Sequence, residues 1–279
     1  RAPYLVSRAN FIACHQPSFL DGIDMLGQIA PGGVFLLNAP YSVDDAWEQM
    51  PLEVQQKLIE SKCRFFIIDA SKVAKSCGLG SRINIVMQTC FFAVSGTLPP
   101  DQAMEKIRQS IRDTYGKKGD QIVEMNLKAI ESALENLKEV PLHKTATSKR
   151  KIKSAWSETA PAFERNVLGV IARGLGDTVP VGALSPDGTF PSASTQWEKR
   201  NLATEIPLWD PSVCIQCSKC AMVCPHSVIR VKAYGEDNLR GASSSFKSNP
   251  ASDLNWKGLQ YTIQVAPEDC TGCTMCVEA

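Results

Sequence analysis

The sequence lacks several features that would place it in other classes of protein. It has no run of about 18 consecutive apolar residues, the length that a membrane-spanning helix needs, so no membrane span is expected. No secretory signal peptide is visible. The chain also has no marked excess of positive or negative charge, because its formal net charge is only +1 over 279 residues. This balance argues against nucleic acid as the main partner.

Cysteine, in contrast, is abundant, and its spacing is the strongest signal in the chain. Cys214, Cys217, Cys220 and Cys224 follow the spacing Cys-x2-Cys-x2-Cys-x3-Cys, with Pro225 directly after them. This is the run with which bacterial iron–sulfur proteins hold [4Fe–4S] clusters. The two-residue gaps let the backbone turn tightly around one face of a cluster. The run therefore predicts cluster ligation.

A second run, Cys270-x2-Cys273-x2-Cys276, lies at the C-terminal end. In two-cluster proteins the fourth cysteine of one run ligates the other cluster. We therefore expect Cys224 to complete the cluster of the second run. The first run then holds three corners of another cluster, whose last ligand is expected at position 280. Since the chain also starts without methionine, the sequence is interpreted as an internal fragment of a longer protein.

Zinc is the alternative ligand for cysteines at such spacings. A zinc ribbon, however, uses four sulfurs in two Cys-x2-Cys pairs, whereas these two runs supply seven and include the x3 gap with its proline. Four further cysteines are scattered through the first part of the chain, at Cys14, Cys63, Cys77 and Cys90. Clusters and free thiols together predict a reducing, intracellular compartment.

Residues 1–138 alternate strand and helix signals, which predicts an α/β domain. Apolar runs at 9–14, 34–37 and 64–69 read as strands buried on both faces, as in a parallel sheet that is covered on two sides. Helices are expected at about 18–29, behind Ser42, after Asp69, from Pro99 and Pro100 onward, and at 120–138. Their predicted core positions recur at helical spacing: Trp47, Met50, Val54, Leu58, Met104, Ile107, Ile111, Tyr115, Leu127, Ile130, Leu134 and Leu137.

The rest of the chain has a different character. Residues 139–209 are rich in proline and carry a basic run at 149–153, which predicts an irregular, extended connector that crosses other parts of a larger protein. Residues 210–279 form the predicted cluster domain, with strands at 229–231 and 261–265 and a surface loop at 241–249. Ile215, Met222 and Val223 are expected to exclude water around the clusters.

The sequence resembles the pyruvate:ferredoxin (flavodoxin) oxidoreductase family along nearly its whole length. Arg82-Ile83-Asn84 belongs to one matching stretch, which begins at Gly80. The matching text is FIACH at 11–15, GVFLLN at 33–38, GSRINIVMQT at 80–89, YGKKG at 115–119, DGTFP at 187–191, WEKRN at 197–201 and VAPEDCTGC at 265–273, together with both cysteine runs.

The resemblance implies a gamma-type α/β domain, an irregular connector and a small α+β ferredoxin-like domain with two [4Fe–4S] clusters. It also implies an enzyme that oxidatively decarboxylates pyruvate with coenzyme A and passes the electrons to ferredoxin or flavodoxin. Thiamine diphosphate and a third [4Fe–4S] cluster would lie outside this chain, which alone is expected to be inactive. A homodimer in the cytoplasm or a hydrogenosome is implied, with Asn84 as a coenzyme A contact.

Two alternatives remain open at this point. The chain could be a non-catalytic iron–sulfur electron-carrier subunit joined to a ligand-binding domain, or the oxidoreductase part of a pyruvate:NADP fusion. The glycine-containing stretch 78–84 also has two interpretations. It is either a simple helix end and turn or a loop whose backbone amides, with Arg82 and Asn84, approach a phosphate-bearing ligand.

Overall fold

The computed structural model describes residues 6–153, 156–199 and 201–279. Arg200, part of one matching stretch, lies outside the described residues. Contacts divide the chain into two compact units, Arg1–Ser154 and Ala155–Ala279. No helix in the described ranges is both long enough and apolar enough to cross a bilayer.

The first unit is an α/β domain built on one sheet in the order β1-β2-β3-β4. Strands β1 to β3 pair in parallel, as predicted, and the short β4 pairs antiparallel at the edge beside β3. Its strands and helices are β1 (Ala9–Cys14), β2 (Ile29–Asn38), α1 (Val43–Ala46), α2 (Leu52–Glu60), β3 (Arg64–Ile68), α3 (Ala70–Ser76), α4 (Asn84–Val94), α5 (Pro100–Tyr115), α6 (Asp120–Asn136) and β4 (Lys138–Val140).

Both faces of this sheet are buried, which explains its continuous apolar strands. Phe35 and Phe65 pack in one core cluster with Trp47, whereas Leu36 and Phe66 pack in a second cluster with α3, α4 and α6. Successive side chains of a strand point to opposite faces, so an apolar run without alternation fills two cores at once. The expectation of a sheet covered on two sides is confirmed.

Polar side chains fix where the helices begin. The Ser42 hydroxyl accepts a hydrogen bond from the Asp45 amide at 3.1 Å, as expected for an N-cap. The buried Asn38 side chain donates to the His15 carbonyl at 2.9 Å and accepts from the Ala70 amide at 2.8 Å. Asn38 therefore joins the carboxyl ends of β1 and β2 to the start of α3.

Two local predictions in this unit are wrong. The stretch expected to be a helix at 18–29 contains only a 3-10 turn, Pro17–Asp21, followed by a loop. Gly22 and Gly27 disfavour helix propagation in a segment that is already short, and Leu20 and Leu26 anchor the loop in the core instead. Leu134 of α6 is 39% exposed, although it follows the apolar spacing of its helix.

The second unit contains a small antiparallel sheet in the order β5-β7-β6. Residues 156–199 fold largely as turns and single helical turns, including a π-helical turn at Glu164–Leu168. The regular elements are α7 (Gly169–Ala172), α8 (Lys219–Met222), β5 (Ile229–Tyr234), β6 (Asn249–Pro250), β7 (Gln260–Val265) and α9 (Met275–Glu278). The predicted strands at 229–231 and 261–265 are confirmed as parts of β5 and β7.

Candidate iron–sulfur centre

The two cysteine runs adopt the same backbone conformation. Gln216 and Ser218 in the first run have φ of 58° and 59°, and Gly272 and Thr274 occupy the corresponding positions of the second run with φ of 69° and 64°. One-turn helices, α8 and α9, complete the two loops. Alternation of right- and left-handed residues turns successive amide N–H groups inward and makes a concave surface suited to an anion.

Backbone amides reach the first sulfur of each run. The Gln216 amide donates to Cys214 Sγ at 3.3 Å, and the Gly272 amide donates to Cys270 Sγ at 3.4 Å. A donor aimed at sulfur favours the thiolate over the thiol, and the thiolate is the form that binds metal. Each loop therefore places a backbone N–H group on the sulfur of its own first cysteine.

Cys224, the last cysteine of the first run, is surrounded by backbone amides. Burial opposes its ionisation, but the backbone amides of Val228, His226, Ile229 and Ser227 outweigh burial and lower the pKa of its thiol. Ser227 takes a left-handed φ of 53°, which curls this segment back towards the sulfur. The chain after Pro225 thus forms a local amide nest for one sulfur.

Like charges crowd together in the first run. Burial raises the pKa of Cys220, and the neighbouring sulfurs of Cys214 and Cys217 raise it further. Thiolates so close to one another repel, and bound cations would relieve this repulsion. Cys217 itself is exposed, at the tip of its loop.

The second run repeats this arrangement and faces the first. Burial is the main cause that raises the pKa of Cys276. The neighbouring sulfurs of Cys270, Cys273 and Cys220 raise it further, and Cys220 belongs to the other run. Helices α8 and α9 are in contact. The fold therefore brings together two runs that lie about 50 residues apart in the sequence.

A cavity of about 510 Å³ lies between the runs and the sheet. Three cysteines and several apolar side chains share its wall: Cys214, Cys220, Cys276, Trp209, Ile229, Ile263 and Val265. The indole Nε1 of Trp209 is buried and finds no hydrogen-bond partner among the described residues. Trp209 lies edge-on to Tyr261, whose ring is fully buried, with ring centroids 6.2 Å apart.

These residues fit an iron–sulfur cluster. The set supplies soft thiolate donors and backbone N–H groups for two of the sulfurs, beside a largely apolar wall. Within the described ranges, His, Cys, Asp and Glu side chains do not gather in groups of three or more as a site for a metal ion. The assignment of the seven cysteines as ligands thus stays a prediction that the donor chemistry supports.

The apolar shell differs from the one expected. Ile215 and Met222 are 81% and 84% exposed in this unit, so the prediction that they exclude water around the clusters is wrong for the chain by itself, whereas Val223 is half-buried. Ile215 lies in the loop before the one-turn helix α8, and Met222 is the last residue of that helix. The buried contacts come instead from Val228, Ile229, Tyr261 and Ile263, with Trp209 packed against them. Sequence reasoning missed the two aromatic residues, although both stand near a cysteine run.

Asn84 is the first residue of α4 in the other unit, and its side chain is exposed. The loop before it passes through Gly78 and Gly80, whose φ values of 80° and 61° favour glycine, and Arg82 is exposed as well. The geometry is compatible with both interpretations of this stretch. Contact of Asn84 with coenzyme A stays a prediction.

Comparison with known proteins gives three consecutive matches along the chain. The profile of the family "Pyruvate ferredoxin/flavodoxin oxidoreductase" matches residues 1–136. A domain of unknown function matches residues 149–203, and a "4Fe-4S dicluster domain" matches residues 213–279. The last match covers both cysteine runs.

Curated relatives match the whole of the chain. A protein of Synechocystis sp., "Putative pyruvate-flavodoxin oxidoreductase", is 51% identical over 99% of this chain and 23% of its own length. The "Pyruvate-flavodoxin oxidoreductase" of Nostoc sp. is 48% identical over 99% of this chain and 24% of its own length. The mitochondrial "Pyruvate dehydrogenase [NADP(+)]" of Euglena gracilis is 38% identical, again over 99% of this chain, but over 15% of its own length.

The three matches cover most of the chain, and identity to the Synechocystis relative reaches about half of the aligned residues. The chain spans about a quarter of the length of the pyruvate–flavodoxin oxidoreductases that it matches. It belongs to the pyruvate ferredoxin/flavodoxin oxidoreductase family.

Proposed function

We propose that this chain is the electron-relay part of an enzyme that converts pyruvate and coenzyme A to acetyl-CoA and CO2. The reaction releases two electrons, which leave through the cysteine-rich unit to ferredoxin or flavodoxin. The observation that carries the proposal is the pair of equivalent cysteine loops facing each other in a chain of this family.

The ligand sets follow from the spacing of the two runs. Cys224 joins Cys270, Cys273 and Cys276 around one [4Fe–4S] cluster, and the first three cysteines of the first run hold the other. When bound, such clusters accept and release single electrons. The protein holds the thiolates by amide donation and keeps the sheet side of the site dry with Ile229, Ile263 and Val265. Hydrogen bonds to sulfur and burial together set the potential.

The α/β unit is proposed to contribute to coenzyme A binding through Asn84. The support is its exposed position at the first turn of an eleven-residue helix, beside the exposed Arg82. Thiamine diphosphate and a third [4Fe–4S] cluster would belong to other parts of the enzyme, which we propose to be a homodimer. A cytoplasmic or hydrogenosomal location remains part of the proposal.

The test uses the intact enzyme that contains this chain, reduced by pyruvate and coenzyme A and examined by EPR. Cys214→Ala should remove the signal of the first-run cluster, and Cys224→Ala should remove that of the second-run cluster. Cys63→Ala, outside both runs, is the matched control and should retain all signals. A Cys224→Ala enzyme that loses the first-run cluster instead would refute the cross-ligation. A colourless protein that binds only zinc would refute the relay.

A second candidate differs in the final acceptor, and the Euglena relative is the observation that favours it. That relative is named for NADP, so the intact enzyme should be assayed with flavodoxin, ferredoxin and NADP in parallel. Pyruvate-dependent reduction of NADP without an added carrier protein would support the fused form. Clusters without any pyruvate-dependent reduction would indicate the electron-carrier subunit.

A further inference from the structure

The second cysteine run is contacted by a segment about 70 residues earlier in the chain, and the first run is supported by different residues. This segment, Lys199 together with residues 201–205, is here called the bracing segment. Lys199 Nζ contacts both carboxylate oxygens of Asp269, at 3.0 and 2.8 Å. Asp269 directly precedes the proposed ligand Cys270. The two ion-pair partners are about one-third exposed.

Two further contacts flank the same ligand. The Asn201 amide donates to the Glu268 carbonyl at 3.1 Å, two residues before Cys270. Past the ligand, a Cβ built on Gly272 would lie 3.1 Å from the Glu205 carbonyl oxygen and 3.5 Å from Ala203 Cβ. The bracing segment therefore lies directly on the second loop, where a side chain at position 272 would press on its backbone and the φ of 69° also favours glycine.

The corresponding position of the first run shows the contrast. Gln216 stands there instead of glycine, and its side chain donates to the Pro250 carbonyl at 2.8 Å and accepts from the Ser252 amide at 2.9 Å. The residue before the first ligand is Val213, which is 76% exposed, rather than a paired aspartate. The two loops thus have the same backbone conformation but are supported by different parts of the chain.

We infer that the bracing segment is a positioning element for the second-run cluster and that Lys199 is its key residue. The inference deepens the proposed function and rests on it. Lys199 fixes Asp269, and so the start of the ligand loop, and its positive charge offsets the carboxylate beside the cluster. A bracing role of this segment would also account for the end of the domain of unknown function that matches residues 149–203.

Lys199→Met in the intact enzyme tests this role by two readouts besides activity. One is the rate at which a chelator removes iron, and the other is the reduction potential of each cluster by EPR-monitored titration. Exposed ion pairs are weak, so we expect iron loss from the second-run cluster to become about two- to fivefold faster. Its potential should become more negative, because the unpaired carboxylate of Asp269 disfavours an added electron.

Lys199→Arg should restore both values, since it retains the charge and the carboxylate contact. Lys232→Met, the same substitution at an exposed lysine of β5, is the control and should change neither cluster. Unchanged values in Lys199→Met, or equal changes in both clusters, would overturn the bracing role while the relay stands. A wild-type enzyme without iron–sulfur signals would overturn the proposed function itself.

Discussion

Gln55 offers a sharp test of how the chain after β4 is attached to the α/β unit. Its side chain is fully buried and makes three hydrogen bonds: it donates to the Trp47 carbonyl at 2.7 Å and accepts from the amides of Thr147 and Ser148 at 2.8 and 2.9 Å. One glutamine thus joins α2 to a segment about 90 residues further on. Replacing Gln55 with leucine keeps a side chain of similar volume and removes all three of these hydrogen bonds.

The loss of stability in Gln55→Leu follows from the buried polar groups that lose their hydrogen-bond partner. Each buried polar group without a partner costs about 1–3 kcal/mol. Gln55→Leu strands the two amides of Thr147 and Ser148, whereas the Trp47 carbonyl still accepts from the Met50 amide at 3.1 Å. The stranded amides can regain water if the segment at 147–148 lifts away, which limits the total to about 2–4 kcal/mol. The loss should therefore be local, at the attached segment, before it is global.

Amide hydrogen exchange measures this effect residue by residue. In Gln55→Leu the amides of Thr147 and Ser148 should exchange about ten- to a hundredfold faster, whereas β2 and β3 should stay protected. Gln56→Leu is the matched control, because Gln56 is the exposed neighbour in the same helix. Equal protection of the two amides in both variants would refute the reasoning.

Two further predictions concern the α/β unit. Burial raises the pKa of Cys14 to about 11 and that of Cys90 to about 12, so at about pH 8 neither thiol should react with iodoacetamide until the protein is unfolded. Peptide mass spectrometry would show this, and modification of the folded protein at either residue would contradict it. The exposed Arg64–Glu139 ion pair lowers the pKa of Glu139 through its hydrogen bond, so its stabilisation is present at neutral pH and lost as the pH falls through that lowered pKa. Arg64→Met should cost less than about 1 kcal/mol at pH 7 and almost nothing in acid; a larger, pH-independent loss in urea unfolding would mean that packing over Phe66 dominates.

Several features could be read from the sequence because they depend on neighbours along the chain. Trp47, Met50, Val54 and Leu58 recur at helical spacing, and all are buried as predicted. The three apolar strands fill both faces of a parallel sheet because each carries no polar alternation. In the second unit, the repeated cysteine spacing corresponds to a repeated backbone turn.

Other features failed or stayed invisible because they depend on which distant surfaces meet. The segment at 18–29 forms no helix, since burial of Leu20 and Leu26 in a loop is compatible with its two glycines. The exposure of Leu134 follows from what packs on α6, which its own periodicity does not reveal.

Spacing along the chain thus determined which cysteines are predicted as metal ligands and how tightly each of their loops turns. Tertiary structure alone decided how the two cysteine loops face one another, that Trp209 lines their cavity, and that Lys199 meets Asp269 across 70 residues. The physical reason is one of range. Backbone turns and helical periods are set within a few residues, whereas ion pairs and close approaches need surfaces that only the folded core brings together.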